Sequence, residues 1–192
     1  MKNKLLFAIV TLLGFILPVC FATAQGVVAK KADEVVPIMV SQKIPDVDLQ
    51  DINGKVFSLR KAVKEKPALL IFYRGGWCPY CNTHLAELRK IEQQLIDKGF
   101  QIIAISPDKP KDLRETMDKH KLGYTLASDS ERSAIKAFGL AFETRKRGIL
   151  PVPTAMLVNK KGEVTFSFVA PNFRVRIDNG IILAAAEAQL AK

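Results

Sequence analysis

The pattern of apolar and polar positions divides the chain into buried strands and one-sided helices. Ala68-Leu69-Leu70-Ile71-Phe72-Tyr73 is an uninterrupted apolar run, the pattern of a strand buried on both faces of a sheet. Gln101-Ile102-Ile103-Ala104-Ile105-Ser106 is a second such run. Between them Leu85, Leu88, Ile91, Leu95 and Ile96 recur near helical spacing, which predicts a helix over Thr83–Lys98 with Gly99 as its C-terminal stop. Pro107–Lys121 reads as a charged helix ended by Gly123, and Ser130–Phe138 as a shorter one ended by Gly139. Thr154–Val158 and Val164–Val169 are strands joined by the turn Asn159-Lys160-Lys161-Gly162, hence an antiparallel hairpin. Ile177–Leu190, rich in alanine, is a closing helix. The order β-α-β-α, then a hairpin and a helix, predicts an α/β layer fold with a central mixed β-sheet and helices on both faces. Gln25–Val40 carries no such pattern and is expected to be mobile at its start.

The opening residues follow a different logic. Lys2 and Lys4 precede an apolar stretch from Leu5 to Val19, and Ala22-Thr23-Ala24 places small side chains at both cleavage-determining positions. Residues 1–24 are expected to be a secretory signal peptide cut before Gln25, leaving 25–192 as one domain in the periplasm or outside the cell. The apolar stretch, about 15 residues, is short for a membrane span, which needs roughly 20. If left uncleaved, it would anchor the protein to the membrane. A lipid-modified Cys20 is a weaker alternative, because Pro18-Val19 stand where a lipobox wants a small residue.

Composition narrows the function. With 48% hydrophobic and 25% charged residues, the chain is neither a disordered tail nor a fibre, and three cysteines in 192 residues do not make a disulfide-stapled mini-protein. The formal charge of +10 falls to +8 once Lys2 and Lys4 are removed. The remaining basic residues are spread out and not interleaved with aromatics, so nucleic acid is not an expected partner, while an anionic membrane surface stays open. Arg145-Lys146-Arg147 is read as a solvated loop; the sharper reading is a patch that attracts acidic partners.

Cleavage would also remove Cys20, so the exported chain would keep only Cys78 and Cys81. Cys78-Pro79-Tyr80-Cys81 follows the first buried strand and opens the first long helix. A helix N-terminus offers free N–H groups and positive dipole, which stabilise a thiolate. Pro79 suits the first helical turn. Two intervening residues bring the sulfurs within bonding reach, with Cys78 as the exposed nucleophile and Cys81 as the resolving thiol. Redox chemistry is the leading reading, with metal binding behind it. His84 extends the motif to Cys-x-x-Cys-x-x-His, a third soft ligand for a metal (copper) chaperone; the blander reading is a solvent-facing helix residue. Trp77 abuts the nucleophile and is read as shielding the disulfide and touching substrate, against simple packing. Val152-Pro153-Thr154 puts a proline at a strand start, where a cis Val152–Pro153 bond could expose backbone groups to a substrate chain; a trans turn proline is an equal alternative.

These residues resemble the thioredoxin fold: Trp77-Cys78-Pro79-Tyr80-Cys81 is similar to its active-site segment and Val152-Pro153-Thr154 to its cis-proline loop. More narrowly, the chain resembles exported bacterial proteins of the alkyl hydroperoxide reductase/thiol-specific antioxidant (peroxiredoxin-like) family. That resemblance rests on Phe72 to Asn82, Ile105-Ser106-Pro107-Asp108, Phe138-Gly139-Leu140 and Leu150 to Thr154, and covers roughly Ile44 to the C-terminus, including Phe168-Val169 and Pro171. It implies a thioredoxin-like fold and thiol–disulfide exchange without a cofactor, with protein thiols or disulfides and an unidentified electron donor or acceptor as partners. It also implies departures from peroxiredoxins: their peroxidatic cysteine falls on Cys81, but their threonine on Cys78, their loop proline on Arg74 and their arginine on Pro153. A thiol peroxidase acting on hydroperoxides, with Cys81 attacking and Cys78 resolving, is the enzyme alternative. The acid that thioredoxins bury on the strand before the motif has no counterpart in Ala68–Tyr73. The tetrapeptide also matches glutaredoxins, which are much shorter.

Overall fold

The computed structural model describes residues 26–191. The expected signal peptide, with Cys20, lies outside them. In chain order the elements are β1 (Asp48–Gln50), β2 (Val56–Ser58), α1 (Leu59–Glu65), β3 (Ala68–Phe72), α2 (Pro79–Asp97), β4 (Gln101–Ser106), α3 (Pro110–His120), β5 (Thr125–Ser128), α4 (Ser133–Ala137), β6 (Ala141–Thr144), β7 (Gly148–Pro151), β8 (Thr154–Val158), β9 (Val164–Val169) and α5 (Asn179–Leu190). One mixed sheet runs β2-β1-β5-β4-β3-β8-β9, and β6-β7 form a separate hairpin. β3 lies parallel to β4 and antiparallel to β8, with Leu70 opposite Ile103 on one side and Met156 on the other.

The alternation of side chains along β3 divides the core in two. Leu69 and Ile71 face a cluster with Leu85, Leu88 and Leu95 of α2, Leu113 of α3 and Ile182 of α5. Leu70 and Phe72 face a second cluster with Leu59 and Val63 of α1 and Ala134 and Ile135 of α4. Helices therefore cover both faces, and every residue of β3 and β8 is buried, as their unbroken apolar runs require.

The expected strands β4, β8 and β9 have the bounds read from the sequence. Helix α2 starts at Pro79, ahead of the span that apolar spacing alone predicts, with Cys78 as its N-cap, so the tetrapeptide opens the helix as its place in the chain predicts. The charged helix starts later, at Pro110, and the closing helix at Asn179, where the Asp178 side chain accepts from Gly180 N. The segment expected to start mobile is tied down from Gly26: Ala29 N donates to Ala141 O, Glu143 N to Ala29 O and Ile38 N to Phe138 O. Its anchors are backbone groups of β6 and of the end of α4, distant in the chain, which no local pattern encodes.

Candidate active site

The cysteine pair sits where β3 ends and α2 begins, beside the last residues of β4. Tyr73 N still donates to Ile105 O, after which the chain leaves the sheet. Gly75 adopts φ +139°, and a Cβ there would collide with Trp77 Nε1 and Asp108 Oδ1. Gly76 N donates to Asp108 Oδ2 at 2.7 Å, and Asn82 Nδ2 donates back to Gly76 O at 2.7 Å. Ser106 Oγ holds the same carboxylate oxygen at 3.0 Å. A half-buried acid just beyond β4 thus fixes the loop that delivers the dithiol, and partial burial pushes its pKa up.

Cys78 is the N-cap of α2, with Pro79 in its first turn, and both Cys81 N and Asn82 N donate to Cys78 O at 3.0 Å. The two thiols are free. A hydrogen bond from the Cys81 thiol pulls Cys78 from its ordinary 9.0 down to about 6, helped by the Cys81 backbone N–H and the charges of Arg74 and Arg176, while burial opposes the shift. Cys81 is pushed up: it donates that bond, it is buried, and it lies beside the Cys78 charge. Arg176 and the Arg74 backbone N–H pull it the other way. One sulfur is thereby prepared as an anion and the other as a proton donor.

The expectation that Cys78 is exposed fails: it is 1% exposed. Residues 171–177, between β9 and α5, lie across the dithiol. Phe173 meets Tyr80 edge-on at 5.8 Å and stacks under Arg74 at 4.5 Å. Arg176 Nη2 donates to Cys81 Sγ at 3.2 Å. Trp77, 38% exposed, carries the Arg147 guanidinium on its ring at 3.7 Å and Arg74 at 5.0 Å. Arg147, read from the sequence as part of a solvated loop, therefore lies at the site, delivered there by the β6-β7 hairpin.

His84 is not the solvent-facing residue expected; it is 7% exposed, because the chain leading into α5 packs on α2, with Asn179 Nδ2 donating to Glu87 O. Burial and the Arg176 charge push its pKa down to about 4, and its Nε2 has no partner. It borders a cavity of 470 Å³ with Tyr80, Arg174, Arg176 and Asn179. Among the described residues, no group of three His, Cys, Asp or Glu side chains is placed to hold a metal ion. Beside Cys78, Cys81 and His84, the Arg176 guanidinium on Cys81 Sγ would in addition repel a metal cation.

The Val152–Pro153 bond is trans, correcting the cis alternative. β8 opens at Thr154, so Pro153 lies outside the ladder and removes no donor from it. Val152, Pro153 and Thr154 are buried, and their backbone is used internally: Val152 N donates to Leu140 O, Ala170 N to Pro153 O and Thr154 Oγ1 to Val152 O, each at 2.9 Å. Pro153 and Thr154 border a small cavity with His84 and Arg176.

Arg176, Phe173, Arg74 and Asp108 are the residues that spacing did not single out as part of the site. Only Arg74 and Asp108 carried a signal, by lying inside the motif segments. Arg176 is 95 residues from Cys81, with no pattern linking them.

Comparison with known proteins agrees with this geometry. A thiol-disulfide oxidoreductase, ResA, of Bacillus thuringiensis (strain Al Hakam) is 25% identical over 178 residues, 92% of this chain and 94% of the relative. A chloroplastic peroxiredoxin Q of Populus jackii is 30% identical over 123 residues, 64% of this chain and 56% of the relative. Among solved structures, reduced Prx3 of Vibrio vulnificus in complex with hydrogen peroxide superposes with a TM-score of 0.73 at 23% identity, covering 78% of this chain and 99% of that one. AhpC of Enterococcus faecalis does so at 0.69 and 16%, covering 79% and 92%. The structural likenesses establish the fold, a thioredoxin-like α/β sheet in its peroxiredoxin form. The AhpC/TSA family model matches residues 40–167, from ahead of β1 into β9 and across the whole dithiol loop, and the chain belongs to the AhpC/TSA family.

Proposed function

We propose that the protein is a thiol–disulfide oxidoreductase of the cell envelope, with Cys78 as the attacking thiol and Cys81 as the resolving one. The observation that carries the reading is the placement of two free thiols across the first turn of α2, Cys78 as its N-cap and Cys81 one turn in against the Arg176 guanidinium, a placement that lowers Cys78 to about 6 and raises Cys81. At neutral pH the reduced site presents one thiolate and one thiol, as disulfide exchange requires. Cys78 attacks a client disulfide, a mixed disulfide forms and one client thiolate leaves. Cys81 then attacks Cys78, the Cys78–Cys81 bond forms and the second client thiolate departs. The ResA-named relatives, matched over most of their length, support this activity. The envelope assignment rests on the signal-peptide pattern of residues 1–24, with 25–192 as the working domain. No helix among the described residues is long and apolar enough to cross a membrane.

Trp77, exposed beside Cys78, is the surface that first meets a client. The Val152-Pro153-Thr154 loop supports the site from behind, through the cavity that it shares with Arg176 and His84. Partners are protein disulfides or thiols, with an electron donor or acceptor still to be identified.

A second reading, a hydroperoxide-reducing thiol peroxidase, is favoured by Arg176 against Cys81, the position of the peroxidatic cysteine in the family. The protonation order speaks against it, since Cys81 is the thiol and not the thiolate. The deciding experiment is trapping with Cys81→Ser and Cys78→Ser in cells. The exchange reading expects mixed disulfides on Cys78 to accumulate in Cys81→Ser and none in Cys78→Ser. Accumulation in Cys78→Ser alone reverses the roles and moves the assignment to the peroxidase.

A further inference from the structure

The exchange mechanism proposed above asks Cys81 to do something its surroundings resist. A buried thiol, raised by burial and by the neighbouring Cys78 charge, has to give up its proton and attack. β3 offers no carboxylate to take it, and Asp108 is committed to Gly76 and Ser106. One cation touches the sulfur: Arg176, whose Nη2 donates to Cys81 Sγ at 3.2 Å. Its Nη1 donates to the carbonyls of Phe173 at 2.7 Å and Val175 at 2.6 Å, so its own segment fixes the fork. Glu87 and Asp178 border the same cavity, yet neither forms a salt bridge with Arg176. The guanidinium thus keeps its charge for the sulfur. Arg176 also lies beyond residue 167, where the family match ends, and at a different chain position from Pro153, where the resemblance places the family's arginine, although the two border one small cavity.

We propose that Arg176 is a catalytic residue of the second half of the exchange, holding the Cys81 sulfur as an anion while that sulfur expels the client from Cys78. Cys81 loses its proton, its sulfur attacks Cys78 Sγ, the Cys78–Cys81 bond forms and the Cys78–client bond breaks. The client leaves as a thiolate and takes up the proton. Over both steps two electrons pass from the dithiol to the client disulfide. The timing follows from the geometry. While Cys78 is an anion it accepts the Cys81 proton and keeps Cys81 a thiol. Once Cys78 is tied to a client, both that acceptor and that charge are gone. The groups left around Cys81 are then Arg176, the Arg74 N–H and the buried Tyr73 hydroxyl, kept neutral by its raised pKa, none of them negative.

The test separates the two steps. Reduced protein is mixed with a peptide disulfide, quenched with acid at intervals and weighed by mass spectrometry, across pH 5–10. Wild type should form and then resolve the mixed disulfide. In Arg176→Met, resolution should slow roughly tenfold at pH 7, a thiolate shortage partly offset by the higher nucleophilicity of a more basic sulfur. The deficit should shrink at high pH, and Arg176→Lys should recover most of the rate. Resolution at the wild-type rate in Arg176→Met overturns the proposal. Equal slowing of both steps with an unchanged pH profile also overturns it, since that is how a merely structural residue behaves. Should Arg176→Met fail to fold, Arg176→Lys reads the same pH shift at smaller size, and its absence counts against the proposal. A wild type that forms no mixed disulfide overturns the exchange reading and this one with it.

Discussion

At the scale of single residues, the site works by dividing one proton between two sulfurs. Cys78 titrates near 6 chiefly because the Cys81 thiol donates to it, so Cys81→Ala should raise the Cys78 pKa, read from iodoacetamide alkylation rates against pH. A lowered folded-state pKa stabilises the folded protein above the ordinary thiol value of 9.0, and that contribution is lost as pH falls through about 6. The urea midpoint of the reduced protein should accordingly rise between pH 6 and 8 by more than that of the Cys78→Ser variant. The reduction potential carries the same signature. Below about pH 6 two protons accompany the two electrons and the potential falls by roughly 59 mV per pH unit; above it, one proton does, and the slope drops to about 30 mV. A slope that stays at 59 mV up to pH 8 contradicts the assignment of Cys78. The two cysteines were legible in the sequence because their chemistry is local, packed into one turn of helix. Arg176 was not, because a contact made across the width of the domain leaves no spacing to read.

At the scale of elements, length decided what the sequence shows. β3, β4 and β8 are mostly apolar runs and β9 alternates apolar and polar residues over six positions, so both patterns are readable. β1 and β2 have three residues each and β5, β6 and β7 four, too few for any period to establish itself. Helix α4 depends on a device of the same hidden kind. Its N-terminal N–H groups are capped from outside the helix, with Ala134 N donating to Asp129 Oδ1 at 3.0 Å and Ile135 N to Oδ2 at 2.9 Å. Asp129→Ala should cost about 1–3 kcal/mol in chemical denaturation, since it leaves two buried donors without partners. In the dithiol loop, Gly75→Ala should lower the melting temperature and also raise the Cys78 pKa. The new Cβ would have to displace Trp77 or Asp108, and the backbone at φ +139° disfavours any side chain. A variant that melts lower with Cys78 unchanged would mean that this loop does not tune the thiol.

At the scale of the whole molecule, the sheet brings three distant segments to one end: the dithiol after β3, the Pro153 loop before β8, and residues 171–177 after β9. The order of helices and strands let the mixed sheet with two covered faces be foreseen, because consecutive elements pack by few rules. The sequence did not show that Cys78 would be covered, with Trp77 and Phe173 among the more exposed aromatic side chains near it. The central claim is that this end of the molecule exchanges disulfides and is not built to reduce peroxide. Stopped-flow tryptophan fluorescence tests it most directly, since Trp77, the single tryptophan, adjoins Cys78. Reduced protein is mixed in turn with an aromatic disulfide and with hydrogen peroxide at pH 7. The account predicts fast oxidation by the disulfide and peroxide oxidation near the rate of an ordinary thiolate, because Cys78 stands where the resemblance places a peroxidase's threonine and the sulfur that Arg176 touches, Cys81, is the thiol and not the thiolate. Peroxide oxidation orders of magnitude faster than that of a free thiolate would contradict it and make the protein a peroxidase.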